Sequence, residues 1–313
     1  MRDNFGRDIN YLRISLTDNC NLRCIYCTPE KLSQKKEEKL LFEDLQKIIR
    51  VAKDIGIKKI RLTGGEPLLR KDLCEIIKEI KKSEIDEIYI TTNGILLEEK
   101  IKDLKEAGLM GINVSLDTLD ENIFNEITRG GDIKKVINGI KKSISLGLKV
   151  KINSVIIKGI NEDSIYQLAE ITKNNKIDVR YIELMPIGEG KKYQGLNNNE
   201  ILKRLENKFG LKEYFEINGV TEYHKLKNSQ GRIGFISPIN NCFCKDCNKI
   251  RITSSGEIKR CLNEEGRINL KNINTEIEIK ELLKNEIKNK PEKHLFGEKK
   301  EFIEKKNMNE IGG

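Results

Sequence analysis

The sequence has no tryptophan, only two histidines and five prolines, and aromatic residues make up just 5% of it. The sparse aromatics, none aligned with a basic run, argue against a nucleic-acid-binding surface, which stacks bases on rings beside its cations. His224 and His294 both lie away from the cysteine groups in sequence, so no histidine is at hand to close a four-ligand zinc site. No stretch approaches the roughly 20 apolar residues of a membrane span. The opening Met1-Arg-Asp-Asn-Phe-Gly-Arg also lacks the apolar region of a secretory leader. The expectation is a cytoplasmic protein with reduced thiols, without membrane or nucleic-acid partners.

What is present is a 313-residue chain with 37% hydrophobic residues and 24 glycines, enough to bury a core in one large domain or in one plus an appendage. Its 58 Lys+Arg against 49 Asp+Glu leave a net charge of +9. Most of that charge reads as solvated helix surface, as in Lys35-Lys36-Glu37-Glu38-Lys39. Eight cysteines in a reducing compartment point to metal binding or catalysis and away from disulfides.

Short β-branched runs recur at 11–17, 57–63, 85–91, 111–116, 148–156 and 177–184, and amphipathic helical patterns fill 42–55, 72–82, 98–107, 133–146 and 162–173. Strands alternating with helices predict a parallel sheet with right-handed crossovers. The fold class is α/β, an incomplete TIM-type (β/α)6 barrel over residues 1–186, with a smaller C-terminal α+β domain over residues 187–313. Alternation gives each strand two faces. One is polar: Arg13, Ser15, Thr17; Arg61, Thr63; Tyr89, Thr91, Asn93; Asn113, Ser115, Asp117; Lys151, Asn153. The other is apolar, from Leu12, Ile14 and Leu16 to Ile112, Val114 and Leu116. The apolar face must meet the outer helices, so the lumen is predicted to be a polar ligand cavity. The same parity groups Met185 with Tyr181 and Glu183 and points all three inward. Polar residues on one face of an open sheet are the alternative reading.

Six cysteines fall into two triads: Cys20-x3-Cys24-x2-Cys27 after the first strand, and Cys244-x2-Cys247 with Cys261 further on. Three thiolates on a four-iron cluster leave one iron open to substrate. A zinc site closed by a carboxylate, or one site shared by all six thiols, is the alternative. Cys74 reads as a small buried hydrophobe, and Cys242 is ambiguous.

These residues resemble a known family. Cys20-x3-Cys24-x-Tyr26-Cys27 is similar to the signature of the radical S-adenosylmethionine superfamily, and Gly64-Gly65-Glu66-Pro67 to its GGEP motif. Leu12-Arg-Ile-Ser-Leu-Thr-Asp, Ile60-Arg-Leu-Thr, Thr91-Thr-Asn-Gly94, Ile112-Asn-Val-Ser-Leu-Asp117, the second triad and Met308-Asn-Glu-Ile-Gly-Gly313 narrow the resemblance. They match the branch that cyclises GTP in molybdenum cofactor biosynthesis, over residues 6–313.

The resemblance implies two [4Fe-4S] clusters, one on Cys20, Cys24 and Cys27 and one on Cys244, Cys247 and Cys261. It implies S-adenosylmethionine held by Tyr26, Gly65, Ser115 and Met185, and GTP held by Arg13, Arg61, Thr91, Lys151, Lys249 and Arg251. It also implies Gly312 and Gly313 reaching the active site, a homodimer, and a small electron donor such as flavodoxin or ferredoxin. The family pattern has Arg where this chain has Lys249, which keeps the charge but loses the bidentate fork. A peptide-modifying enzyme of the superfamily and a zinc- and nucleic-acid-binding protein are the competing readings.

Overall fold

The computed structural model describes residues 1–30, 39–241, 243–271, 273–294, 304 and 306–312. Six strands alternate with helices: β1 (Tyr11–Ser15), α1 (Phe42–Asp54), β2 (Lys59–Thr63), α2 (Leu73–Lys82), β3 (Glu87–Thr92), α3 (Leu97–Ala107), β4 (Gly111–Ser115), α4 (Glu121–Thr128), α5 (Ile133–Ser145), β5 (Lys149–Ser154), α6 (Ser164–Asn174) and β6 (Asp178–Ile182). The rest comprises α7 (Asn198–Phe209), β7 (Lys212–Asn218), β8 (Thr221–Lys225), β9 (Arg232–Ile236), β10 (Lys249–Ile252), β11 (Glu257–Lys259), β12 (Ile268–Asn269), α8 (Glu276–Lys288) and α9 (Met308–Ile311). Helix α3 stops where Gly108 takes φ 117°, a left-handed cap that a side chain would oppose.

The described strands form one sheet in the order β12-β11-β10-β1-β2-β3-β4-β5-β6-β9-β8-β7. β1 to β6 pair in parallel in sequence order, as the βα rhythm predicts. The C-terminal segment, residues 187–313, supplies strands to this same sheet. β10 pairs in parallel with β1, and β9 in parallel with β6. Open edges of a parallel sheet are liabilities, and each is covered by a strand from far along the chain.

The apolar strand faces pack under the helices as expected: Leu12, Ile14, Leu62, Ile90, Ile112, Val114 and Ile152 share one core with α1, α2, α3 and α5. Helix α8, hidden in sequence by its charge, adds Ile279, Leu283 and Ile287 to that core. It is tied to α1 by Arg50–Glu276 at 2.7 Å and Lys280–Asp54 at 2.8 Å.

The parity of β6 differs from expectation. Tyr181 is fully buried in the outer core and its hydroxyl donates to the Ile165 carbonyl of α6 at 2.6 Å, so it faces outward. Asp178 and Arg180 take the lumen face. β6 ends at Ile182, and Glu183 beyond it accepts from the amides of Ile239 and Asn240. Alternation therefore does not carry through to Met185.

Candidate functional site

The first triad sits in the loop after β1. Arg23 N donates to the Thr128 carbonyl at 3.1 Å and Ile25 N to the Ile127 carbonyl at 2.9 Å, pinning the loop to the end of α4. Arg129, in the left-handed region at φ 55°, donates Nη1 to the carbonyls of Arg23 and Thr28, on either side of Cys24 and Cys27. Cys20 Sγ accepts from Leu22 N at 3.4 Å and Asn93 Nδ2 at 3.6 Å. The thiols lie within electrostatic reach of one another. Burial, then the neighbouring Cys27, holds Cys24 well above its ordinary value, and burial pushes Cys27 up to about 12. Free thiols here stay protonated, whereas a bound cationic iron centre inverts that preference. Among the described residues no three His, Cys, Asp or Glu side chains converge as ligands of a single ion. Thiolates on separate irons of a cluster need no such convergence.

The turn after β2 braces this loop. Gly65 N donates to the Thr17 carbonyl and Glu66 N to the Asn19 carbonyl, both at 2.7 Å. A Cβ on Gly65 would come within 2.6 Å of the Asp18 oxygen, so the glycine allows two backbones to touch. Glu66, fully buried, accepts from Leu68 N at 3.0 Å, Thr92 Oγ1 at 2.7 Å and Asn93 N at 2.7 Å. One carboxylate thus joins the Gly-Gly-Glu-Pro turn to the end of β3, and burial pushes it up to about 7.

Beside the triad lies a small cleft lined by Cys24, Tyr26, Asn93, Ser115, Asp117 and Phe124 among others. Tyr26 and Ser115 both line it. Met185 packs with Ile187, Ile311, Leu262 and Met308, and a Cβ on Gly190 would meet the carbonyls of Met185 and Tyr26.

The lumen is crowded with cations. Arg251, Arg13 and Arg61 stand in direct register across β10, β1 and β2. Burial, then the proximity of Arg251, pulls Arg13 well below its ordinary value. Burial pulls Lys249 down to about 7, with Arg13, Arg251 and Arg61 adding to the effect and Cys247 opposing it. Arg180, which alternation missed because β6 is polar on both faces, donates Nη2 to Asn153 Oδ1 at 2.5 Å. With its side-chain oxygen turned inward, Asn113 accepts from Arg180 Nη2 at 2.9 Å and from Arg61, so β2, β4 and β6 meet across the lumen. Lys151 is held by Asp178 at 3.1 Å and the Tyr223 hydroxyl at 3.0 Å. Among the described residues, Ser15 Oγ, Arg61 Nε, Thr91 Oγ1 and Arg180 Nε are buried on the lumen side without a hydrogen-bond partner. Unpaired buried donors among like charges are costly, and an anionic ligand removes both costs.

The three thiols of the second triad lie within electrostatic reach of one another, and Cys247 within reach of Lys249 and Arg251. Cys244 is buried, its carbonyl accepts from Arg7 Nη1 at 2.9 Å, and its Sγ accepts from His294 N at 3.3 Å. His294 is thus next to this site after all, through its backbone amide. Burial opposes ionisation of Cys247, but Lys290, Lys249 and Arg251 outweigh it and hold that thiol below its ordinary value. Burial pushes Cys261 up, against Lys290. Cys74, expected to be buried, is only half-buried and packs against the edge of the main core; Cys242 lies outside the described residues.

The C-terminal segment enters the lumen. The Gly312 carbonyl accepts from Arg251 Nη1 at 3.1 Å, and a Cβ on Gly312 would meet Thr63 Cγ2 at 2.9 Å and Ser15 Cβ at 3.1 Å. Gly313 lies outside the described residues.

A partial α/β barrel with a thiol triad after β1, a cleft beside it and a cationic lumen defines a class of enzyme that fixes an anionic substrate next to a metal cluster. Residues 14–171 match the model of the Radical SAM superfamily, and residues 177–296 that of Molybdenum Cofactor Synthesis C. The chain is 46% identical over 323 residues to a GTP 3',8-cyclase of Clostridium perfringens, covering 100% of both. It is 45% identical over 321 residues to one of Clostridium botulinum, again covering 100% of both. Among solved structures, Streptococcus suis SuiB bound to S-adenosylmethionine is similar, with TM-score 0.62 and 19% identity. That match covers 84% of this chain and 63% of SuiB, so the chain spans less than two thirds of that relative. The chain belongs to the radical S-adenosylmethionine superfamily and, within it, to the GTP 3',8-cyclase family. Its family cofactors are S-adenosylmethionine and a [4Fe-4S] cluster. No described helix is long and apolar enough to cross a membrane.

Proposed function

We propose that this enzyme converts GTP to (8S)-3',8-cyclo-7,8-dihydroguanosine 5'-triphosphate, the first step of molybdenum cofactor biosynthesis. Cys20, Cys24 and Cys27 hold the family cluster. When bound, the cluster would supply the electron for reductive cleavage of S-adenosylmethionine to methionine and a 5'-deoxyadenosyl radical, the species that would take hydrogen from ribose C3' ahead of ring closure at C8, with one further electron and a proton completing the 7,8-dihydro product. Tyr26, Gly65, Ser115 and Met185 shape the S-adenosylmethionine site, with Asp117 holding the Tyr26 ring by its hydroxyl. Arg13, Arg61, Thr91, Lys151, Lys249 and Arg251 bind GTP, joined by Arg180, and Gly312 closes the site. Fixing the triphosphate holds the ribose and the base in one reactive geometry.

The observation that carries this reading is the file of Arg251, Arg13 and Arg61 in register on one lumen face. Adjacent strands are about 4.8 Å apart, a spacing that suits successive phosphates and that only a polyanion relieves. Cys244, Cys247 and Cys261 carry a second [4Fe-4S] cluster. A small flavodoxin- or ferredoxin-type donor supplies electrons, and the enzyme acts as a homodimer in the cytoplasm.

Anaerobic reconstitution tests this directly. About eight irons per chain with matching sulfide are expected for two four-iron clusters, and zinc without sulfide defeats the proposal. The reduced enzyme with S-adenosylmethionine and GTP should yield 5'-deoxyadenosine and a cyclised nucleotide. Deoxyadenosine formed without loss of GTP would shift the assignment to a peptide substrate.

A further inference from the structure

We propose that Lys259 and Glu304 are positioning residues for the cyclisation, a buried ion pair that seats the C-terminal segment between the two cysteine sites. The proposal rests on the function given above.

Lys259, on β11, and Glu304 are each 1% exposed and are ion-paired to one another. A second pair, Lys306 with Glu257, runs beside the first, and Lys306 N donates to Glu304 Oε1 at 2.7 Å. The two pairs oppose each other in sign, Lys259 and Glu257 on the strand facing Glu304 and Lys306 on the tail, so only one register satisfies both. In the sheet Lys259 lies opposite Arg251, one strand from the lumen file.

Everything downstream depends on this anchor. α9 is four residues long, too short to be stable on its own. Its apolar contact is small, Ile311 and Met308 on Ile187, Met185 and Leu262, and Leu262 follows Cys261 directly. Asn309 Nδ2 donates to the Asp18 carbonyl at 3.1 Å, beside the first triad. Gly312 then rests on Arg251. Residues 306–312 therefore touch the surroundings of both triads and the lumen. Removing one partner of a buried ion pair leaves an uncompensated charge, whereas a pair replaced as a unit is tolerated. The pair acts as a latch on the segment, not as a brace for the barrel.

The test uses the full-length enzyme carrying Glu304→Gln, and separately the charge-swapped Lys259→Glu/Glu304→Lys. Glu304→Gln strands Lys259 on β11, so melting temperature is measured for both variants, and the swap, which restores the pairing, is the control for stability. Trypsin should cut after Lys306 about tenfold faster in Glu304→Gln, because cleavage tracks the open population. The kcat for GTP cyclisation should fall about tenfold to a hundredfold through misplacement, while the GTP dissociation constant stays close to wild type. A synthetic peptide of residues 304–313 should restore part of the rate, and the swap should restore both protection and rate. A tail as protected as in wild type, or a lost rate that neither swap nor peptide recovers, overturns the proposal. If the wild type fails to cyclise GTP, the function falls first, and the proteolysis still decides whether the pair seats the tail.

Discussion

The Tyr26 hydroxyl donates to Asp117 Oδ2 at 2.7 Å, tying the loop that carries the first cysteines to the end of β4. Asp117 Oδ1 accepts from Val155 N at 2.8 Å. Burial nevertheless pushes Asp117 from 3.8 up to about 6. An acid whose folded value is raised holds its proton more tightly when folded, so its stabilising contribution is full below about pH 4 and is lost as pH climbs through about 6. Asp117→Asn should flatten this part of the stability curve of the apoprotein. Urea unfolding between those pH values checks it, and an unchanged slope rejects the assignment.

Glu66 holds three donors with two oxygens. Glu66→Gln turns one of those oxygens into a donor facing Thr92 Oγ1 or Asn93 N, and should cost about 1–3 kcal/mol for the stranded group. The urea midpoint reports the loss. Iron uptake at the first triad should fall with it, because the same carboxylate braces the turn against that loop.

Gly65→Ala places a methyl group against the backbone of Asp18 and Asn19. Backbone cannot rotate away as a side chain can, so overpacking should cost about 1–3 kcal/mol. The expected result is a lower melting temperature together with weaker S-adenosylmethionine binding by calorimetry. Normal binding would separate Gly65 from that site.

Arg180→Met removes a lumen cation with an unpartnered Nε. A hydrogen bond to a charged group contributes about 1.5–3 kcal/mol, so GTP affinity should fall roughly tenfold to a hundredfold. Calorimetry with GTP and with guanosine separates the phosphate from the base: the nucleoside should bind both proteins alike.

Cys261→Ser should spare reductive cleavage of S-adenosylmethionine and abolish GTP consumption, and Cys24→Ser should abolish both. Deoxyadenosine and cyclised nucleotide are quantified from the same reaction. Equal loss of both products in Cys261→Ser would contradict separate roles for the two triads.

Where alternation was clean, sequence alone carried the fold. Leu12-Arg13-Ile14-Ser15 and Ile60-Arg61-Leu62-Thr63 each have one apolar and one polar face, and both faces lie where parity puts them. β6 defeated the same rule, because Asp178 and Arg180 on one face and Tyr181 on the other all carry polar groups, so hydropathy could not choose between them. Arg180 was lost with that choice. The pairing of β10 with β1 and of β9 with β6 was also illegible, since local periodicity says nothing about which distant strand covers an edge. The cysteine triads were plain from spacing, while the contact between His294 and Cys244 needed the folded tail.

The register of Arg13 with Arg251 sets an order of events during synthesis. β1 is made first and its partner β10 near the end, so the nascent barrel leaves the ribosome with one raw edge and an incomplete file of arginines. Long-range pairing of this kind folds slowly and exposes strand edges meanwhile. A chain that stops short of β10 cannot complete the file of Arg251, Arg13 and Arg61, and that face of the lumen is whole only after the last third of the chain has docked on its first strand.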